Sequence, residues 1–171
     1  MENKADLRLK AKNIRKSLNI SDISALIVDL VRKHPDYIAA KKVMIFYPTK
    51  YEINLLNLLE DKKEFYLPKV DGQNLLVCPY CCNDKLEKSC FNILEPCSNP
   101  ITAKDLDLVI VPALMADEKG FRLGYGGGFY DRFLSLYEGD FKTVVVVPKV
   151  LYVRKLPVDG YDKSVDEVIF A

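Results

Sequence analysis

Apolar residues fall at Leu7, Ala11, Ile14 and Leu18, three or four positions apart, with lysines and arginines elsewhere. That spacing predicts an amphipathic helix over residues 4–19. A second helical stripe, Ile23, Leu26, Ile27, Leu30 and Val31, runs through SDISALIVDLVRKHP, with Ser21 as its expected cap and Pro35 beyond its end. KVMIFYP reads as a short strand stopping at Pro48, and EINLLNLLEDK returns to helical spacing through Ile53, Leu56 and Leu59. EFYLPKV and NLLVCPY predict strands joined at an Asp71-Gly72 turn. Residues 81–104 are polar and weakly patterned, and are expected to be mostly irregular. LDLVIVPAL and KTVVVVPKV are unbroken apolar runs, as strands buried on both faces of a parallel sheet require. YDRFLSLYE between them predicts a helix, and VDEVIF a last strand.

Strands alternating with helices predict an α/β fold: a three-layer α/β/α sandwich with a mostly parallel central sheet, Rossmann-like. Residues 1–171 are read as a single domain, large enough to bury roughly 70% of the unfolded surface. In such folds ligands bind beyond the carboxyl ends of the strands. LDLVIVPAL leads through Asp117 to GYGGG (Gly124 to Gly128), so that loop is expected at the ligand-binding rim.

Charge and composition narrow the partners. With 25 basic and 24 acidic residues the net charge is +1, which disfavours nucleic acid. No apolar run approaches the ~20 residues of a membrane span, and the charged N-terminal segment does not read as a signal peptide. A cytoplasmic, monomeric protein acting on small molecules is the expectation. Five cysteines, an odd number, suit reduced thiols better than a disulfide framework. CPYCC contains a C-x-x-C, but no second pair or nearby histidine completes a zinc set. The only histidine, His34, reads as a surface residue at a helix end, so triad-type nucleophilic catalysis is disfavoured. Chemistry here has to rest on positioning, carboxylates, cations or a metal.

Five of the chain's eight glycines lie between Gly120 and Gly128, and a helix follows. Glycines before a helix let several backbone N–H groups converge at the positive end of its dipole, an anion site suited to phosphate. Arg122 supplies a forked cation beside it. Asp131, in the helix's first turn, would repel phosphate unless Mg2+ lay between them. The Walker and dinucleotide glycine patterns do not fit. On pattern alone a phosphate cradle and a ligand-free turn both remain open.

The longer stretch VPALMADEKGFRLGYGGGFYDRFL closely resembles the signature of the 5-formyltetrahydrofolate cyclo-ligase family, with Val111, Pro112, Asp117, Gly120, Arg122, Leu123, Gly124, Gly126, Gly128, Tyr130 and Asp131 in register. NKADLR, FYPTKYEINLLNLL, YLPKV and LPVDGYDKSVDEVIF extend the likeness over nearly the whole chain. The resemblance implies ATP-dependent conversion of 5-formyltetrahydrofolate to 5,10-methenyltetrahydrofolate with Mg2+. The alternative weighed beside it is a nucleotide- or folate-binding module without turnover. By the same resemblance Lys4, Arg8 and Arg122, with the backbone of Leu123, Gly124, Tyr125, Gly126, Gly127, Gly128, Phe129 and Tyr130, would hold ATP. Asp131 and Asp162 would hold Mg2+. Tyr47, Glu52, Tyr125 and Phe129 would line the folate pocket, and Arg122, Asp117 and Tyr130 would stand at the reacting centre, Asp117 either shaping the ligand site or capping the loop. The chain departs from the family's pattern at Ala113, Ala116, Leu151, Asp159, Gly160 and Tyr161.

Overall fold

The two valine-rich runs lie side by side at the centre of the molecule. The computed structural model describes residues 2–171. The chain runs α1 (Lys4–Lys16), α2 (Ile20–Lys33), α3 (Pro35–Ala39), β1 (Lys42–Met44), β2 (Glu64–Asp71), β3 (Asn74–Pro79), β4 (Leu86–Lys88), β5 (Leu94–Pro96), β6 (Leu108–Val111), β7 (Met115–Asp117), β8 (Arg122–Leu123), α4 (Phe129–Leu136), β9 (Lys142–Val147), β10 (Tyr152–Val153) and β11 (Glu167–Phe170). The main sheet has the order β11-β9-β6-β1-β2-β3, parallel except for the antiparallel edge strand β3. A second sheet, β10-β7-β8, and the β4–β5 hairpin stand apart from it.

Both faces of the main sheet are covered, which is why β6 and β9 read as continuous apolar runs rather than alternating ones. Val43, Ile45, Leu108, Ile110, Val144 and Val146 pack with Ile27, Val28 and Val31 of α2. Their neighbours Met44, Val109, Val111, Val145 and Val147 pack with Phe133 and Leu134 of α4. The expected α/β sandwich with a mostly parallel sheet is present. Helix α1 joins neither face: Leu7 and Ala11 pack against Leu114, Met115, Leu123, Leu151 and Leu156 around the small sheet. Leu151, one of the departures from the family pattern, is fully buried there, so its apolar character serves this third core.

From β1 the chain moves to β2 and β3, whereas from β6 it moves the opposite way to β9 and β11. The reversal falls between β1 and β6, and the crevice beyond their carboxyl ends is where an α/β sheet places its ligand.

Several boundaries differ from the sequence reading. Asn19, not Ser21, caps α2, its side chain accepting from Asp22 N–H. The helix expected over 52–62 is only a 3-10 turn, Leu56–Glu60. There the Asn54 side chain accepts from Leu56 N–H and Glu52 from Thr49 N–H, local bonds that compete with helical ones. Segment 81–104 contains the unforeseen β4–β5 hairpin. The strand through Leu114 ends at Val111, because Pro112 follows and Met115 pairs in the other sheet. His34 caps α3, accepting from Asp36 N–H at 3.3 Å. All five cysteines are free thiols, and no cluster of three His, Cys, Asp or Glu side chains suited to a metal exists among the described residues. No described helix is long and apolar enough to cross a membrane.

Candidate active site

The glycine loop is set by the hairpin before it. Asp117, 1% exposed, ends β7. Its Oδ1 accepts from Lys119 and Phe121 N–H at 3.0 Å each, and its Oδ2 accepts from Leu156 N–H at 3.0 Å. Phe121 O in turn accepts from Asp117 N–H, closing the turn. Of the two roles open to Asp117, these three amide bonds are those of loop capping. Asp117 is a positioning residue, and its substitution by alanine should cost about 2–4 kcal/mol of stability, read as a lower urea midpoint at unchanged m-value.

Beyond the hairpin, β8 delivers Arg122 under the loop. Its side chain is 3% exposed, its Nε has no partner, and its terminal nitrogen reaches Asp131 Oδ1 at only 3.3 Å. Burial lowers its pKa, opposed by the charge of Asp131, and arginine stays protonated regardless. The Tyr130 ring lies under the guanidinium, 5.7 Å from its carbon to the ring centroid. Burial also raises the Tyr130 phenol pKa, as does the nearby charge of Glu52. Gly128 caps α4 with φ 69°, left-handed backbone that suits glycine. Phe133, stacked on Phe141 at 5.6 Å, anchors that helix to the core. The result is a buried, under-paired cation beside a helix N-terminus. The Leu123 side chain is buried against α1, while the residue also lines the cleft.

Three cations come from α1. Arg8 donates from Nε to Gly124 O at 2.9 Å, so it braces the loop while lining the cleft. Lys4 is held by Asp159 and Asp162 at 2.6 and 2.5 Å instead of reaching toward the glycines. Arg15, which the sequence reading did not single out, is 2% exposed. It donates to the carbonyls of Tyr51 and Leu114 at 3.1 Å and to that of Ala113.

The Lys4 contact gives a pH prediction. Burial alone would lower the Lys4 pKa, but its hydrogen bonds to Asp159 and Asp162 outweigh this and the net shift is upward. Burial alone would raise the Asp162 pKa, but Lys4 and the Asp159 amide outweigh it and the net shift is downward. A depressed carboxylate stabilises above its unfolded pKa and loses this as pH falls through the folded one. A raised lysine stabilises below its unfolded pKa and loses this as pH rises through the folded one. The Tm difference between wild type and Lys4→Met should thus be flat from about pH 5 to about pH 9 and shrink on either side. A difference that varies within that window would count against the tether.

The loop, α1 and the 159–163 turn form one wall of a cleft of about 1210 Å³. Tyr47, Glu52, Tyr125 and Phe129 all line it. Glu52, 8% exposed, accepts through Oε1 from Thr49 N–H at 2.9 Å and Thr49 O–H at 2.6 Å. Burial, then the Glu52 charge, raises the Tyr125 pKa, although the residue as a whole is 46% exposed. Phe129 does double duty, packing on the second core and meeting Phe91 edge-on at 5.5 Å. Asp131 and Asp162 line the same cleft. The sequence reading missed the opposite wall, where Pro68, Val70, Phe91, Ile93 and Glu95 stand on β2 and the β4–β5 hairpin. The one local signal was Asn92, which turns that hairpin at φ 62°, a conformation asparagine tolerates.

A model of the 5-formyltetrahydrofolate cyclo-ligase family matches residues 1–171. The chain is 32% identical over 148 residues to the 5-formyltetrahydrofolate cyclo-ligase of Escherichia coli strain K12, covering 80% of this chain and 81% of that one. It is 28% identical over 141 residues to the cyclo-ligase of Haemophilus influenzae, covering 76% and 75%. The solved structure of Aquifex aeolicus 5,10-methenyltetrahydrofolate synthetase superposes with a TM-score of 0.84 at 30% identity, over 98% of this chain and 89% of that one.

Proposed function

This chain belongs to the 5-formyltetrahydrofolate cyclo-ligase family, and from that premise we propose that it closes 5-formyltetrahydrofolate to 5,10-methenyltetrahydrofolate using ATP. The γ-phosphoryl group passes to the formyl oxygen and ADP leaves. The N10 nitrogen then attacks the formyl carbon, the carbon–oxygen bond breaks, and phosphate departs with that oxygen. N10 loses its proton and the five-membered ring closes as a cation. Neither step needs a nucleophilic side chain from the protein. What it needs is alignment of two substrates and stabilisation of charge on the phosphoryl oxygens.

The observation that carries this reading is Arg122. A guanidinium that is almost fully buried, with one unpaired nitrogen and a single 3.3 Å carboxylate contact, is costly unless an anion completes its shell. The N-terminus of α4 and the glycine-loop amides stand beside it, so a triphosphate is the fitting ligand. Arg8 would brace the loop against the phosphates, and Lys4 would exchange a carboxylate partner for a phosphate oxygen. The apolar wall and Tyr47, Tyr125 and Phe129 would receive the flat pterin.

The donor set also fits magnesium. Asp131 has only Oδ1 engaged and Asp162 only Oδ2, leaving one oxygen on each of these cleft-lining residues without a protein partner among the described residues. Two carboxylates are too few to hold the ion alone, and magnesium at such sites completes its shell with water and phosphate oxygens. Bound there, it would neutralise charge on the polyphosphate.

Incubating the protein with 5-formyltetrahydrofolate and MgATP should yield methenyl absorbance in step with ADP. Tight binding of both ligands with no product would replace the enzyme with a binding module, and failure to bind either would sink both readings.

A further inference from the structure

The far wall of the cleft holds a carboxylate that neither the phosphate chemistry nor the fold accounts for. Glu95 lies in β5 and is 7% exposed, with the remaining exposure facing the cleft. Its one hydrogen bond among the described residues is from Val70 N–H to Oε1 at 3.3 Å, which is long. No lysine, arginine or histidine comes within 4.0 Å of it among the described residues. Its cross-strand partner is Glu87, a like charge where an attractive pair would be expected. As a structural group it gives little back: one weak bond for a buried anion. Oε2 has no protein donor among the described residues.

The surroundings say what could supply one. Pro68, Val70, Leu75, Phe91 and Ile93 make this end of the cleft apolar, while the cations Lys4, Arg8 and Arg122 stand with the glycine loop, and Arg132, over the Phe129 ring, donates to the Gln73 carbonyl. An anionic ligand group is therefore repelled from the Glu95 end. A flat heterocycle with two adjacent N–H donors on one edge is what a half-satisfied carboxylate in an apolar slot accepts. The 2-amino-4-oxopyrimidine edge of a reduced folate, with its N3–H and 2-amino group, is such an edge. Glu52 is a poorer candidate, because its Oε1 already takes two donors from Thr49.

We propose that Glu95 is the specificity-determining residue that reads the 2-amino-4-oxopyrimidine edge of the substrate and fixes its direction in the cleft. This rests on the cyclo-ligase reading of the same site. With the pyrimidine at Glu95, the N5-formyl group points back toward the glycine loop and the negatively charged glutamate tail is kept away from the hairpin.

The test compares 5-formyltetrahydrofolate with its 2-deamino-2-oxo analogue, which puts an acceptor where the amino donor stood. Wild type should bind the parent on the order of 10- to 100-fold more tightly than the analogue. Glu95→Gln keeps the acceptor for Val70 N–H and gains an amide donor, so it should fold normally, verified by its Tm, and narrow that preference to within about threefold. Its Kd for ATP should match wild type. A Glu95→Gln protein that is folded and still discriminates like wild type overturns the proposal. Glu95→Leu is the second variant: loss of discrimination there with retention in the glutamine form would also overturn it, assigning the effect to packing. Turnover of the parent by wild type is measured alongside. If wild type turns over but Glu95→Gln discriminates unchanged, only this inference falls. If wild type binds no folate, the cyclo-ligase reading falls with it.

Discussion

Replacing Arg122 with alanine should lower kcat/KM for ATP on the order of 10³-fold, with most of the loss in kcat. The guanidinium sits beside the loop amides, out of water, where charge–charge interactions are little screened. The other cations lining the cleft are engaged elsewhere, Arg132 with the Gln73 carbonyl and Lys163 with Glu138. Arg8 is committed to the Gly124 carbonyl and Lys4 to two carboxylates. Arg122→Lys keeps the charge but not the fork, and should recover only part of the loss, about tenfold. Since the variant also leaves Asp131 without its arginine, Tm must be recorded with the kinetics. A folded Arg122→Ala enzyme within tenfold of wild type would falsify the phosphate role.

Gly120→Ala should be the most damaging small substitution for the fold, with a loss of roughly 3 kcal/mol or more. Gly120 has φ 80°, where side chains are strained, and a Cβ there would run into the backbone carbonyl oxygen of Val165. That oxygen cannot swing aside, because the Gly120–Val165 contact is itself a backbone pair: Val165 N–H donates to Gly120 O at 2.9 Å. By contrast a Cβ on Gly139, also at positive φ, meets nothing within 4 Å. Comparing Gly120→Ala with Gly139→Ala in urea melts isolates the clash, since both pay the conformational term. Equal losses in the two variants would show that backbone strain alone is responsible.

Legibility in the sequence followed the range of the interactions. The alternation of strand faces and the stripe of α2 are local patterns, and they read through to Val144 and Val146 on one face and Val145 and Val147 on the other. Arg15 did not read, because its acceptors are carbonyls 36, 98 and 99 residues away, and a lysine- and arginine-rich helix gives no hint that one member is interior. Residues 52–62 misled in the other direction. Leu55 and Leu58 are buried by tertiary packing while side chains of Glu52 and Asn54 take up the local amides. The glycine loop, Arg122 and Asp131 were legible from one contiguous motif. The hairpin wall with Phe91 and Glu95 was not, since strands of three residues carry too few positions to show a period.

Helix α1 has a consequence for the order in which the molecule can be completed. It is synthesised long before its side-chain partners, which are Ala113, Leu114, Gly124, Asp159 and Asp162. Its apolar stripe needs Leu151 and Leu156 as well. At a synthesis rate of about 5–20 residues per second, α1 waits on the order of ten seconds for the chain that covers it. During that interval Leu7 and Ala11 are open to solvent or to chaperones, and the phosphate loop has no brace. The nascent protein is therefore unable to assemble the proposed nucleotide site until translation has passed the turn at Asp162, which ties the first appearance of ligand binding to the making of that turn.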